Sequence, residues 1–415
     1  MDKRTVKCSN NRVSNLNPLQ SNNRVSNLNP LQSNNGILLA LAMCAFCIGT
    51  TEFVMAGVLS DIANTFKISV SAAGWLMSGY AFAVVISAPI LTAVSINLPR
   101  KPVLISLMGL FILGSLISAL SPSYQILMLG RIISAFCHGA FLGIGSVVAA
   151  HSAPKNKQAH AIALMFTGLT LANVLGMPLG TTLSQYFGWR SMFWVISVLG
   201  CISLISLIIL IPNNITIQKT HLKHEIIMFK NPFVWRALLI TALGYGGVFT
   251  SFAYITPMMT HLAGFSENAI IGLLLLFGIG TFAGNLIGGK AADMALAPAL
   301  ATLLFCLSLT LFIFSVSTQN PITAIILIFL LGLFGFSVTA PMQAQIAKYA
   351  ENAPTVSSAA NISSFNIGIA LGTYLGGVTI YLGWGYNSVN WVGGCMVLLA
   401  LVIQIVNILI PIKSQ

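Results

Sequence analysis

Apolar runs of about 20 residues recur through this chain, each long enough to span ~30 Å of hydrocarbon as a helix. A run of that length satisfies its own backbone polar groups only by coiling, so the pattern dictates a bundle of membrane helices. Hydropathy places twelve spans near residues 37–59, 72–96, 103–121, 124–150, 159–186, 190–212, 235–256, 268–290, 298–316, 321–346, 355–381 and 389–411. Short connections join them. The expected class is therefore an all-α membrane protein of twelve transmembrane helices in two six-helix bundles. Of the 415 residues, 56% are hydrophobic and 6% are charged. A soluble domain carries about 25% charge, which excludes a soluble enzyme, a disordered chain and a disulfide-stapled module.

The formal net charge of +12 resembles a nucleic-acid signal until the basic residues are located. With the N-terminus inside, the inner segments hold Lys3, Arg4, Lys7, Arg12, Arg24, Arg100, Lys101, Lys155, Lys157, Lys219, Lys223, Lys230, Arg236, Lys290, Lys348 and Lys413. Lys67 and Arg190 fall outside, and Arg131 lies within span four. This positive-inside bias predicts cytoplasmic termini and makes the charge a topology signal, with no nucleic-acid partner. Cys44, Cys47, Cys137, Cys201, Cys306 and Cys395 all fall in spans. The Cys44-x-x-Cys47 pair lies in hydrocarbon without flanking charge and reads as small apolar packing.

Five segments follow. Residues 1–36 form a polar tail in which Ser9–Gln20 repeats as Ser21–Gln32; it buries too little apolar surface to fold and is expected to be disordered. Residues 37–212 and 235–411 are the two six-helix bundles, 213–234 is a cytoplasmic linker and 412–415 a short tail. The bundles repeat at an offset near 196: Gly176 and Gly180 match Gly372 and Gly376, and Gly188-Trp189 matches Gly383-Trp384. A parallel repeat of this kind suits two bundles that rock around a site at their interface.

Ionisable residues inside a membrane cost about 2.5–3.5 kcal/mol on insertion scales, so each is a functional candidate. Glu52 in span one and Arg131 in span four both sit roughly 10 Å below the outer boundary; His138 lies on the face of Arg131, roughly 10 Å deeper. An apolar cavity favours a protonated carboxyl, and a neighbouring guanidinium favours the ionised one. A conformational change that separates the two would load and release a proton. The alternatives are a static Glu–Arg pair, a lipid-facing or end-of-helix placement and, for His138, a bond to a backbone carbonyl. At the offset of 196, Val248 and Leu327 stand opposite Glu52 and Arg131, so the coupling groups belong to the first bundle. Tyr80, Asn173, Tyr245, Phe249, Tyr254, Asn361 and Asn366 are candidates to line a substrate cavity, with helix–helix contact as the alternative for each. Pro178 lacks an N–H and is expected to kink span five.

Gly49-Thr50-Thr51-Glu52-Phe53, Ala88-Pro89, Arg131 with His138-Gly139-Ala140-Phe141, Gly168-Leu169-Thr170, Gly176-x-Pro178-x-Gly180 and Gly188-Trp189-Arg190 together resemble the major facilitator superfamily. The likeness is to the arabinose-efflux-permease-like branch of its drug/proton antiporters. It runs from about Gly36 to near the end. The resemblance implies a bacterial inner-membrane location and proton-driven export of small, amphiphilic molecules. Such a protein would act as a monomer in the lipid bilayer, with protons and a small-molecule substrate as partners. The proton gradient would supply the energy, and no cofactor or metal. Arg131 occupies the position of the family's fourth-helix arginine, linked to proton coupling. Gly176, Pro178 and Gly180 fall on the fifth-helix antiporter motif, although the proline follows Gly176 by two positions instead of one. Arg100 and Lys101 match the basic end of the family's loop motif, where Thr92 and Ile96 replace its Gly and Asp. Asp293 matches the equivalent loop after span eight, where Ala297 and Pro298 replace its basic pair. Asp293 is also a candidate to cap a helix N-terminus. Other readings are a dedicated sugar or nucleoside exporter, a proton symporter, and a membrane receptor that does not transport. The chain contains no zinc motif, nucleophile elbow, P-loop or paired catalytic carboxylates, so no enzymatic activity is expected.

Overall fold

The computed structural model describes residues 34–95, 98–153, 158–213, 226–350 and 353–409. The duplicated tail through residue 33, residues 214–225 of the linker, the last six residues, Ile96, Lys155 and Lys157 lie outside the described residues. All regular structure among the described residues is helical.

The first crossing is α1 (Asn34–Phe53) followed by α2 (Met55–Phe66). Crossings two to four are α3 (Val70–Ser95), α4 (Arg100–Leu120) and α5 (Tyr124–His151). The fifth is α6 (Gln158–Leu171), a π-turn over Ala172–Gly176 and α7 (Met177–Phe187); the sixth is α8 (Trp189–Leu210). A 3₁₀ turn, Ile226–Lys230, leads into the second half. There the seventh crossing is α9 (Pro232–Phe252) with α10 (Ile255–His261), and α11 (Glu267–Ser317) carries both the eighth and the ninth. The tenth is α12 (Pro321–Ser337) with α13 (Thr339–Tyr349); α14 (Pro354–Tyr381) and α15 (Ser388–Leu409) are the last two.

Among the described residues, ten helical stretches are long and apolar enough to cross a membrane, and one of them, the 51-residue α11, folds back at a break. The remaining crossing, the eleventh in chain order, is α14, whose 28 residues suffice in length but include Asn361, Ser363, Ser364 and Asn366. The break in α11 falls at Ala295, whose φ of −160° and ψ of 81° are extended. Pro298 explains its place: proline cannot donate to the preceding turn and pushes the residues before it out of helical geometry. Asp293 lies two residues before the break, on the last turn of the first segment, so it is not placed to cap the second.

Helix ends follow ordinary capping chemistry. The Asn231 side chain accepts from Phe233 N at 3.0 Å and Asn320 from Ile322 N at 3.0 Å, each with proline at the next position. The expected kink in span five appears as the π-turn directly before Pro178, where the missing donor loosens the ladder. The Gly188 and Gly383 pair has the same left-handed backbone, φ +80° at both, which glycine alone adopts freely.

α1–α8 pack together, as do α9–α15, and α2, α3, the π-turn and α7 meet α10, α11 and α14 at the seam between the halves. The seam is tied on the face where α2, α7, α10 and α14 have their loop ends. There Ser71 Oγ donates to Gly377 O at 2.7 Å and Gln185 Nε2 to Glu267 O at 2.7 Å; deeper in the seam, at the breaks, Thr256 Oγ1 donates to Ala56 O at 2.8 Å. Tyr186, Phe187, Tyr381 and Trp384 stand exposed at the helix ends of this face, as an aromatic belt at a membrane boundary does. Many Ile, Leu and Val side chains between the ends point outward, the surface a bilayer solvates.

The repeat is deeper than its glycine markers. The first crossing of each half breaks at the same depth, before Met55 and before Ile255. Those restarts are 200 residues apart, not 196, because the connections later in the two halves differ in length. Phe252, not Val248, is therefore the structural counterpart of Glu52. Thr256 and Ala56 are also 200 apart, and they touch. Two equivalent residues meet in this way only beside the axis that relates the halves.

Candidate functional site

Glu52 is on the last turn of α1, two residues before the break at Val54. A helix end leaves its last carbonyls without intrahelical donors. Arg131 on α5 fills one of them: its Nη1 donates to Thr51 O at 2.7 Å. The guanidinium also lies 4.1 Å from the centre of the Tyr80 ring, on α3. The Tyr80 hydroxyl is 3.2 Å from His138 Nδ1, and His138 Nε2 is 3.9 Å from Glu52 Oε2. The four side chains thus form a closed cluster on three crossings, all of them buried.

The arrangement differs from a direct Glu–Arg pair. Arg131 meets the Thr51 carbonyl next to Glu52, and the contact to the carboxylate is made by His138. Nor is His138 tied to a backbone carbonyl; its two ring nitrogens face Tyr80 and Glu52. Tyr80, expected on the cavity wall, is the piece that joins the arginine to the histidine. Arg131 Nε and Nη2 and the Thr50 and Thr51 hydroxyls have no hydrogen-bond partner. A buried donor left unpaired costs ~1–3 kcal/mol, more when charged, so the cluster is poised to accept a water or a regrouped carboxylate.

Close packing against the fifth crossing fixes the position of the break. A Cβ on Gly176 would stand 2.2 Å from Thr50 Oγ1, and one on Gly180 would stand 2.5 Å from Val54 Cγ2. These glycines of the fifth-helix motif therefore let α1 approach next to Glu52. Gly278 does the same for the seam: its Cβ would lie 2.7 Å from Asn173 O, on the π-turn of the opposite half.

Aromatic rings fill the seam next to Glu52. Phe53 lies 6.5 Å from Phe249, 6.4 Å from Phe252 and 6.2 Å from Phe336, so one ring of the first half enters a cage of the second. Tyr245 extends the cage to Phe249 at 5.1 Å and Phe365 at 4.8 Å. Phe252 stacks on Phe277 at 4.6 Å. Of the expected cavity residues, Tyr245 and Phe249 belong to this cage. Phe53, Phe252, Phe277, Phe336 and Phe365 were missed, because a phenylalanine in a uniformly apolar span carries no sign of its facing.

The remaining candidates are placed elsewhere. Tyr254 is at the break before α10, its hydroxyl donating to Thr373 O at 2.9 Å. Asn361 is committed within the second half: it accepts from Thr241 at 2.8 Å and donates to Gln343 at 2.7 Å. Asn173 and Asn366 donate to Leu169 O and Ile362 O of their own helices, and their Oδ1 atoms are buried without a partner. Arg100 and Lys101 open α4 at the opposite end of the bundle from the seam hydrogen bonds.

Comparison with known proteins agrees with this architecture. Residues 41–373 match the family described as Major Facilitator Superfamily. The chain is 41% identical over 366 residues to the inner membrane transport protein YdhP of Escherichia coli K12, covering 88% of this chain and 94% of that one. It is 40% identical over 371 residues to the uncharacterized MFS-type transporter YtbD of Bacillus subtilis 168, covering 88% and 93%. Among solved structures, a D-xylose-proton symporter superposes with a TM-score of 0.75 at 15% identity, over 89% of this chain and 97% of that one, a likeness of fold. A multi-pass helical bundle with this repeat, and relatives matched over nearly their full length, lead to one conclusion: the chain belongs to the major facilitator superfamily, a family of transporters and not of enzymes.

Proposed function

We propose that the protein is a proton-coupled antiporter that exports small, amphiphilic molecules across the bacterial inner membrane by alternating access. The observation that carries this reading is the buried Glu52–His138–Tyr80–Arg131 cluster directly beside the aromatic cage at the seam. A carboxyl that changes partner when the halves move changes its proton affinity with the access it has. The cage supplies the apolar, aromatic wall that such pockets use. In this reading Glu52 carries the proton, Arg131 restores the ionised state by its field, and His138 and Tyr80 hold the carboxylate in place. The proton gradient is the energy source and no cofactor is needed; a monomer suffices, with both termini cytoplasmic, as the distribution of Lys and Arg favours. Relatives described as an inner membrane transport protein and an MFS-type transporter support membrane transport as the activity.

The test is proton movement in proteoliposomes holding an internal pH dye, challenged with lipophilic cations, neutral drugs, sugars and nucleosides. Antiport requires that one substrate class drive protons opposite to its own flux, and that Glu52→Gln abolish the exchange in correctly folded protein. Co-directional flux would make the protein a symporter. Unchanged exchange in Glu52→Gln would remove Glu52 from the mechanism.

A further inference from the structure

The two ring nitrogens of His138 face two different groups, and the protons available in the cluster decide which nitrogen carries hydrogen. The frame around them is tight. A Cβ on Gly139 would run into Ala88 Cβ, so α3 and α5 approach closely there. Tyr80, Ala83 and Val84 of α3 pack with Ala135 of α5 in one small buried cluster. This packing holds the Tyr80 and His138 rings with centroids 5.8 Å apart, tilted by 51°. Tyr80 is 1% exposed and His138 4%, so neither polar tip reaches bulk solvent.

The Tyr80 hydroxyl lies 3.2 Å from His138 Nδ1, and among the described residues that is the hydrogen bond it makes. Arg131 covers the Tyr80 ring but has donors only, so it offers the hydroxyl proton no acceptor. A neutral imidazole has one N–H and one lone pair. With hydrogen on Nδ1, the phenol oxygen would accept it and the phenol's own proton would be buried without an acceptor, a costly arrangement. The Nε2 lone pair would then face Glu52 Oε2, 3.9 Å away, and repel an ionised carboxylate. An imidazolium fails at the same point, since Nδ1 would again donate to Tyr80. With hydrogen on Nε2 alone, Tyr80 donates to Nδ1 and the N–H points toward the carboxylate. The bond made by one ring nitrogen thus fixes the state of the other.

We infer that Tyr80 is a positioning residue that locks His138 in the Nε2–H form, and that His138 is thereby a fixed donor to Glu52 and not a station through which the coupled proton passes. No lone pair of His138 is free to take a proton from the Glu52 carboxyl: Nδ1 is engaged by Tyr80, and Nε2 already carries hydrogen. The proton on Glu52 therefore arrives and leaves by a path that bypasses the histidine. The tautomer stands on geometry alone; its bearing on transport rests on the reading of Glu52 as the proton carrier.

The experiment is solid-state NMR of the full chain in liposomes, with histidine isotopically labelled at its ring nitrogens. The chain has six histidines, so the His138 signals are isolated by subtracting the spectrum of His138→Gln or His138→Leu. Nε2 is flanked by two ring C–H groups and Nδ1 by one, which assigns each signal. A proton on Nε2 and a bare Nδ1 are expected at both ends of the pH range over which exchange is driven. A proton on Nδ1, or on both nitrogens, at either end would overturn the inference. Tyr80→Phe keeps the ring beneath Arg131 and removes the donor. The Nδ1–H share should then rise roughly tenfold, and an unchanged share would take the role away from Tyr80.

Transport gives a second readout. In the proteoliposome assay His138→Leu, which cannot donate, should slow exchange roughly tenfold. His138→Gln has an amide N–H to stand in for Nε2–H but cannot take up a proton, and it should recover most of that loss. Gln as inactive as Leu would show that the proton passes through the histidine and would overturn the inference. A wild type with the Nε2–H spectrum that moves protons with no substrate would sink the antiporter reading and leave the tautomer assignment supported.

Discussion

Removing the donors of the seam hydrogen bonds, in the triple variant Ser71→Ala, Thr256→Val and Gln185→Ala, should release one face of the transporter. Each bond joins a side chain of one half to a backbone carbonyl of the other, at 2.7, 2.8 and 2.7 Å. In an opened seam these carbonyls would find water, so what is lost is the net value of each bond. That value is about 0.5–1.5 kcal/mol in proteins generally and averages ~0.6 kcal/mol within membranes. The donors are on α3, α7 and α10, far enough apart for their effects to add. Together they amount to about 1.5–3 kcal/mol, a shift of roughly 10- to 150-fold between closed and open arrangements of this face. Spin labels at Asn64→Cys and Asn268→Cys, both exposed at the loop ends of opposite halves, report the separation in a background with the seven native cysteines replaced. A longer distance should gain population in the triple variant. A single, unmoved distance would show that the bonds do not restrain the seam, and the reasoning from hydrogen bonds to access would fail.

Further outcomes follow from other contacts. Phe53→Ala removes three ring contacts worth ~0.5–1.5 kcal/mol each beyond area burial, and should shift the same distance distribution in the same direction without touching a hydrogen bond. Gly278→Ala places a methyl 2.7 Å from Asn173 O and 2.8 Å from Val174 Cα, both backbone; it should cost about 1–3 kcal/mol in the thermal stability of the detergent-solubilised protein, and unchanged unfolding would mean that α11 and the π-turn are not in contact.

The crossings were legible because hydrocarbon leaves a chain few choices, and each run of apolar residues reports its own span. The breaks were not. Val54 and Tyr254 interrupt helices inside runs whose hydropathy does not change, and the offset read from Gly188 and Gly383 near the fifth and eleventh crossings does not hold at the first and seventh. Charge in a membrane is conspicuous, so Glu52, Arg131 and His138 could be named from the sequence and do gather in one cluster. Their pairing could not be named, because depth along a helix says nothing of which ring nitrogen or carbonyl a guanidinium will meet. Asn361 shows the limit in the other direction: a polar residue in an apolar span signals a partner, and its partners proved to be Thr241 and Gln343 of its own half.

The meeting of Thr256 with Ala56 bears on ancestry. Two identical chains paired about a two-fold axis must place the same residue against its own copy there. Fusing two copies into one gene removes the requirement of identity. At this position the fused chain has a donor on one side and a bare methyl on the other, a one-way bond that no symmetric ancestor could have made.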